Sequence, residues 1–242
     1  MISIKDLTKK YTGSGVVVDH LSFEVSGGEC LVLVGKSGCG KSTLLRMING
    51  LIRSDEGEVW IEGTRLVSEG IPIRRRKIGF VVQQGGLFPH LNVFENISLI
   101  AKLTGSSKKE REDRVEELLT LVNLDPIRYA SKYPRELSGG EQQRVGVARA
   151  LMLDPPILLM DEPFGALDPI TRRQIQKDFL DLQRKIARKT ILFVTHDMQE
   201  AFLMANRIAI MDAGKILQIG TPEEIRQNPA SSFVADFFRG VA

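Results

Sequence analysis

A glycine-rich segment with one lysine, residues 35–42, has the residue types and spacing that bind phosphate groups. It matches the pattern G-x-x-x-x-G-K-[ST] and is called the phosphate loop below. Glycines let the backbone turn tightly, so that successive N–H groups and a following helix N-terminus face phosphate oxygens. We expect Lys41 to reach the β- and γ-phosphates and the Ser42 hydroxyl to bind Mg²⁺. The predicted nucleotide-contacting residues here are Gly35, Lys36, Ser37, Gly38, Cys39, Gly40, Lys41, Ser42 and Thr43.

Two carboxylates directly follow an apolar segment further along the chain. Residues 157–160 are apolar, and Asp161 and Glu162 come next. This pattern predicts a buried parallel strand, and ligand sites of open α/β sheets lie at the carboxyl ends of such strands. We expect Asp161 to hold Mg²⁺, through water or Ser42, and Glu162 to orient and deprotonate an attacking water. The pair therefore predicts nucleotide hydrolysis.

A third segment, residues 137–144 (LSGGEQQR), begins another predicted helix and is called the signature segment. Ser138 is suited to cap that helix, but two glycines weaken a helix start unless a group such as an anion approaches the backbone closely. Together with the phosphate loop and the carboxylates, this segment resembles the signature of the ATP-binding cassette (ABC) family. The resemblance implies a head-to-tail dimer in which the signature residues close over the ATP held by the opposite subunit. These residues are Ser138, Gly139, Gly140, Glu141 and Gln142.

The same resemblance assigns roles to residues near the catalytic centre. Gln83 follows the predicted strand 78–82 and resembles the Q-loop glutamine, which contacts Mg²⁺ and the lytic water. Gln84 is its neighbour, and the spacing from the strand favours Gln83. His196 directly follows the apolar segment 190–195. It resembles the switch histidine that contacts the γ-phosphate and the catalytic carboxylate. Asp168 ends a segment similar to the D-loop of the family, residues 165–168.

An aromatic residue near the N-terminus is the candidate for base recognition. Tyr11 precedes a glycine-rich turn and resembles the aromatic residue that stacks on adenine, and Val17 is expected to pack against the sugar or base. Stacking on a base contributes about 1–3 kcal/mol where truncation has measured it. The alternative is that Tyr11 is a half-buried strand aromatic.

The order of elements predicts one interrupted α/β domain. Residues 1–29 alternate between apolar and polar types and residues 57–63 read as a hairpin arm, so we expect an antiparallel layer. Strands and helices alternate from about residue 155, which favours a parallel sheet. The resemblance implies a P-loop NTPase (RecA-like) core with an antiparallel β subdomain and an inserted α-helical subdomain. We expect a single ABC ATPase domain over 1–242, with 1–88 and 155–242 as core and 89–154 as the helical insert.

Composition restricts the partners and the location. The net charge is +3 with 26% charged residues, which is too balanced to favour nucleic acid as the main partner. The longest apolar runs are strand-length, far short of the roughly 20 residues that a membrane helix needs. Charged residues interrupt the N-terminus, so no signal peptide is expected. The two cysteines form no disulfide or metal framework. The resemblance implies a peripheral protein at the cytoplasmic face of the cell membrane.

One further segment resembles a docking site. Residues 87–97 are similar to the segment with which importer ATPases receive the coupling helix of a membrane permease. Such patches with high apolar content usually mark interfaces. The predicted docking residues, called the docking loop, are Leu87, Phe88, Pro89 and Leu91.

The resemblance implies the ATP-hydrolysing subunit of an ABC importer. Residues 81–90 and 161–171 look most like importers of quaternary amines, namely glycine betaine, choline or carnitine. Expected partners are a second identical or similar ATPase subunit, a transmembrane permease and, indirectly, an extracytoplasmic substrate-binding protein. Alternatives are an importer of an amino acid, sulfonate or polyamine, a non-transport ABC ATPase, or a P-loop kinase or GTPase. Many quaternary-amine ATPases continue into regulatory CBS modules, and no regulation of that kind is carried over to this sequence.

Overall fold

The computed structural model describes residues 1–13, 15–66, 75–83, 86–165 and 167–238, without the Phe238 side chain. Its strands are β1 (Ile2–Tyr11), β2 (Gly15–Val25), β3 (Cys30–Val34), β4 (Glu56–Ile61), β5 (Thr64–Arg65), β6 (Ile78–Val81), β7 (Ile157–Asp161), β8 (Thr190–Thr195), β9 (Arg207–Asp212) and β10 (Lys215–Gly220). Its helices are α1 (Lys41–Ile48), α2 (Val93–Leu103), α3 (Lys108–Leu121), α4 (Pro126–Tyr129), α5 (Gly139–Ala150), α6 (Pro169–Lys185), α7 (Met198–Met204), α8 (Pro222–Gln227) and α9 (Ser232–Phe238).

The chain divides into two compact units. The first contains Met1–Arg75, Leu159–Glu162 and Arg188–Ala242, and the second contains Arg76–Leu158 and Pro163–Ala187. Strand β7 begins in the second unit and ends in the first, so that Asp161 and Glu162 belong to the first unit. The predicted boundaries of the helical insert, 89–154, stay a prediction.

The first unit has an antiparallel and a mainly parallel layer. Strands β2, β1, β4 and β5 lie in that order, and β1 pairs antiparallel with both β2 and β4. In the other layer β3 pairs parallel with β8 and with β9, while β10 pairs antiparallel with β9. Strands β3 and β8 are buried along their whole length, because a parallel sheet is covered on both faces. Both predicted layers are confirmed.

The second unit is mainly helical. Helices α2, α3 and α5 each begin with a capping box, in which the cap side chain and the third helical residue bind each other's backbone N–H. Helix α3 and its C-cap bury one apolar face, formed by Val115, Leu118, Leu119 and Val122. Within the described ranges, no helix combines the length and the apolar character that a membrane span requires.

Candidate nucleotide site

The phosphate loop connects β3 to α1 in the first unit, and the helix that the sequence predicted after the loop is α1. Lys41 is 4% exposed, and its ammonium donates to the carbonyl oxygens of Gly35, at 2.7 Å, and Lys36, at 2.9 Å. The N-cap of α1 is Gly40, with φ at 107°, so no side chain caps the helix. The first N–H groups of α1 are therefore left for another acceptor, such as phosphate oxygens.

The loop is packed tightly against two other strands. A Cβ atom on Gly35 would lie 2.1 Å from the carbonyl oxygen of Met211 in β9. A Cβ atom on Gly40 would lie 2.3 Å from the carbonyl oxygen of Val17 in β2. Val17, the predicted sugar or base contact, thus has its backbone directly against the phosphate loop.

Two of the three predicted metal-binding residues, Ser42 and Asp161, contact each other. The Ser42 hydroxyl donates to Asp161 Oδ1 at 2.8 Å, and Asp161 is 5% exposed. Burial raises the pKa of the Asp161 carboxyl, while the Ser42 hydrogen bond and Arg46 oppose this shift. Among the residues described, no three acidic, histidine or cysteine side chains cluster as a complete metal site. A hydroxyl with one carboxylate fits Mg²⁺, which binds through one or two carboxylates and completes its shell with water and substrate phosphates.

The predicted catalytic carboxylate and switch histidine also lie together. His196 Nδ1 is 3.1 Å from Glu162 Oε2, and the Glu162 side chain is 15% exposed. Glu162 has a φ of 42°, a left-handed conformation that non-glycine residues rarely adopt. Its backbone N–H donates to the carbonyl oxygen of Val194 in β8, at 2.9 Å. Strained backbone of this kind is common at active sites, where the surrounding structure fixes it.

Tyr11 lies at the end of β1 and is 38% exposed. The ammonium of Lys9 lies 5.4 Å from the centre of its ring and is paired with Asp55 at 2.9 Å. Because Lys9 covers one face of the ring, a stacking base would take the opposite face.

The signature segment lies in the second unit, where most of its side chains bind within the unit. The Ser138 hydroxyl accepts from the Glu141 N–H, and Glu141 Oε2 accepts from the Ser138 N–H at 2.7 Å. The Tyr129 hydroxyl donates to Glu141 Oε1 at 2.5 Å. Although burial opposes the shift, these donors lower the pKa of Glu141. Gln142 donates to the carbonyl oxygen of Pro134 at 3.0 Å. Within the signature segment, Ser138 and Gly139 are exposed to solvent.

The two signature glycines have different surroundings. A Cβ atom on Gly140 would lie 2.8 Å from Thr171 Cγ2, whereas one on Gly139 would make an ordinary contact of 3.4 Å with Leu167. Packing against α6 is thus enough to explain why residue 140 is a glycine. The close approach of an anion is needed to explain only Gly139. Asp168 caps α6 by accepting from the N–H of Thr171 at 3.0 Å, which lowers its pKa.

Gln83 and the docking loop also belong to the second unit. Gln83 is exposed after β6, and its alternative Gln84 and the D-loop residue Ala166 lie outside the described residues. Phe88 is 42% exposed, and Pro89 is exposed beside it. Leu87 and Leu91 are half-buried.

Comparison with known proteins decides the family. The family model described as "ABC transporter" matches residues 18–165, which include the phosphate loop, the signature segment and both carboxylates. The chain belongs to the ABC transporter family.

Related ABC proteins and solved cassettes match nearly all of the chain. The "Glycine betaine/carnitine/choline transport ATP-binding protein OpuCA" of Bacillus subtilis (strain 168) is 49% identical over 237 residues, covering 98% of this chain and 62% of that protein. This chain thus spans less than two thirds of that relative's length. The dimeric structure of MJ0796, a bacterial ABC transporter cassette, matches with a TM-score of 0.81 and 37% identity, covering 91% of this chain and 98% of that one. The structure of cbiO1 from Clostridium perfringens, part of the ABC transporter complex cbiONQ, has a TM-score of 0.84 and 25% identity, covering 95% and 91%.

The structure of this ABC cassette adds residues that the motifs did not reveal. Lys9 lies over the Tyr11 ring and is paired with Asp55. These two residues are 46 positions apart, and neither belongs to a recognisable pattern. Asn96 is fully buried in α2 and binds the docking loop through the backbone N–H and carbonyl oxygen of Phe88, at 2.8 and 3.1 Å. The guanidinium of Arg149 lies 5.9 Å from the Phe88 ring. The sequence offered one indication of this role for Asn96, namely a polar amide among the apolar residues that α2 buries.

Proposed function

We propose that this cassette binds and hydrolyses ATP. The observation that carries the proposal is the pair of contacts Ser42–Asp161 and His196–Glu162 within one compact unit. They lie where the phosphate loop follows β3 and where β7 and β8 end, at the carboxyl ends of strands, which is where open α/β sheets bind ligands.

Binding would rely on the phosphate loop and on Tyr11. The uncapped N–H groups at the start of α1 would donate to phosphate oxygens, and Lys41 would exchange its carbonyl contacts for contacts with the β- and γ-phosphates. Phosphate oxygens carry negative charge and carbonyl oxygens do not, so the Coulomb attraction of the Lys41 ammonium favours that exchange. Adenine would stack on the face of Tyr11 opposite Lys9.

Ser42 and Asp161 would hold Mg²⁺, which supplies positive charge to the β- and γ-phosphate oxygens when bound. The burial of Asp161 suits this task, because a partly desolvated carboxylate gains more from a cation than an exposed one.

Hydrolysis would follow from the position of Glu162. This carboxylate would take a proton from water as the water oxygen attacks the γ-phosphorus, and the bond to the β–γ bridging oxygen would break to give ADP and phosphate. His196, 3.1 Å from Glu162 Oε2, would keep the carboxylate oriented toward the water. Positioning and charge stabilisation would supply most of the rate gain.

The cassette would act as a head-to-tail dimer, with Ser138 and Gly139 of each subunit facing the ATP of the other and Asp168 beside them. Support comes from the solved dimer of MJ0796 and from its post-hydrolysis dimer bound to ADP and Pi, to which this chain is 36% identical. The exposure of Ser138 and Gly139 is consistent with such a role.

We further propose that the dimer drives import through a membrane permease, at the cytoplasmic face of the membrane. The cbiO1 cassette is part of an ABC transporter complex, which supports assembly with transporter partners. The docking loop, where Phe88 and Pro89 are exposed, is where the permease would bind. The name of OpuCA supports quaternary amines as the solutes, delivered by an extracytoplasmic binding protein.

The test is replacement of the general base. Glu162→Gln preserves shape but removes the proton acceptor, so ATP should bind while turnover falls on the order of 10²–10⁴-fold. The variant should accumulate as an ATP-bound dimer in size-exclusion chromatography. Glu116→Gln, an exposed change on α3, serves as the matched control and should hydrolyse ATP normally. Near-normal hydrolysis by Glu162→Gln would refute the assignment of the base.

A further inference from the structure

One fully buried carboxylate near the site has no part in the mechanism above. Glu200 lies in the first turn of α7 and is 3% exposed. A buried carboxylate is costly unless hydrogen bonds compensate for its lost hydration. The contacts of Glu200 therefore indicate what its burial achieves.

Glu200 binds the residue that directly precedes His196. The Thr195 hydroxyl donates to Glu200 Oε2 at 2.5 Å, and Thr195 is 2% exposed. The same hydroxyl oxygen accepts from the N–H of Asp197 at 3.0 Å. The residues on both sides of His196 are thus fixed through one hydroxyl group.

The direction of these hydrogen bonds fixes the orientation of the Thr195 hydroxyl. Because Glu200 Oε2 accepts from that hydroxyl, the lone pairs of the hydroxyl oxygen are left for the Asp197 N–H. The preceding residue, Val194, accepts from the backbone N–H of Glu162 at 2.9 Å. Residues 194–197 therefore bind the backbone of Glu162 and also fix the backbone on both sides of His196.

We propose that Glu200 and Thr195 are positioning residues that set the His196 imidazole against Glu162. The inference rests on the proposed function, since it acts through the role of His196 in hydrolysis. Removing the hydroxyl takes one hydrogen bond from the buried Glu200 and one from the Asp197 N–H, so we expect the turn that carries His196 to shift. A misplacement of about 1 Å at a catalytic group costs up to ~10²-fold in rate.

The test compares threonine variants of one strand in the full chain. Thr195→Val should lower kcat for ATP hydrolysis about 10- to 100-fold, as the loss of a supporting contact to an active-site residue typically does. Its Kd for ATP should stay within about twofold of the wild type, because the phosphate loop is untouched. Thr195→Ser keeps the hydroxyl and should restore kcat. Thr190→Val is the matched control, since Thr190 is equally buried at the other end of β8 and binds Ser26 and Gly28 instead.

A double-mutant cycle separates positioning from general stability. In a His196→Ala background, Thr195→Val should lower kcat by less than about twofold further, because coupled residues are not additive. Glu200→Met removes the acceptor of the Thr195 hydroxyl, should behave like Thr195→Val, and decides the matter if Thr195→Val fails to fold. Equal losses in Thr195→Val and Thr190→Val, or a full further loss in the His196→Ala background, would overturn the inference.

The same cycle distinguishes this inference from the proposed function. If His196→Ala is slow while Thr195→Val and Glu200→Met turn over normally, only the inference is wrong. If His196→Ala itself keeps wild-type kcat, the proposed role of His196 is wrong and the inference fails with it.

Discussion

Three glycines of the phosphate loop allow its tight packing to be tested one cause at a time. Gly38 has a φ of 83°, and an added Cβ would meet no described atom within 4 Å. Gly35 has no positive φ, but its Cβ would lie 2.1 Å from the Met211 carbonyl oxygen. Gly40 combines both problems, with a φ of 107° and a Cβ 2.3 Å from the Val17 carbonyl oxygen. Alanine at these positions therefore introduces strain, overlap, or both.

The expected losses of stability follow from these causes. A left-handed conformation costs a non-glycine residue about 1–2 kcal/mol, and overpacking against backbone typically costs about 1–3 kcal/mol. Alanine also reduces the entropy of the unfolded chain, which returns about 0.4–1 kcal/mol. We therefore expect net losses of about 1 kcal/mol for Gly38→Ala, about 1–2 for Gly35→Ala and about 2–4 for Gly40→Ala.

Urea unfolding followed by tryptophan fluorescence measures these losses. The chain has one tryptophan, Trp60 in β4, which lies in the same compact unit as the phosphate loop. ATP affinity should fall most in Gly40→Ala, because the loop must shift away from Val17 and takes its N–H groups with it. A Gly40→Ala variant as stable as Gly38→Ala would refute the close approach of the Val17 carbonyl group.

Two further predictions concern the partners. Phe88→Asp should abolish co-purification with the permease and transport by the reconstituted complex, whereas Ile127→Asp, a charge placed at an apolar residue that is 94% exposed in the same unit, should not. Basal ATPase activity and melting temperature should survive in both, and their loss in Phe88→Asp would show that the loop is core. Mixing Lys41→Ala with Ser138→Arg subunits should restore part of the ATPase activity, because a mixed dimer then has one site without either defect. Absence of ATP at that intact site, in mixed dimers shown to form, would contradict a site shared between subunits.

Local chemistry explains what was predictable from the sequence. The apolar run 30–34 and the glycines after it are enough to predict strand β3, a phosphate loop and a helix, because burial pattern and turn geometry depend on neighbouring residues. Capping is local for the same reason, so Ser138 is identifiable as the start of α5 from its own sequence. The resemblance carried by these motifs is what the family match confirms.

Contacts between distant residues were decided only by the tertiary structure. Ser42 and Asp161 are separated by 119 positions, and only the packing of β3 and β7 in one sheet brings their side chains to 2.8 Å. The sequence marked Gly140 as unusual, but the reason, its contact with Thr171, depends on how α6 packs on α5. Glu200 lies only five residues from Thr195 and was still missed. Local sequence fixes which residues can form a strand or a cap, whereas the direction in which a side chain is buried depends on everything packed around it.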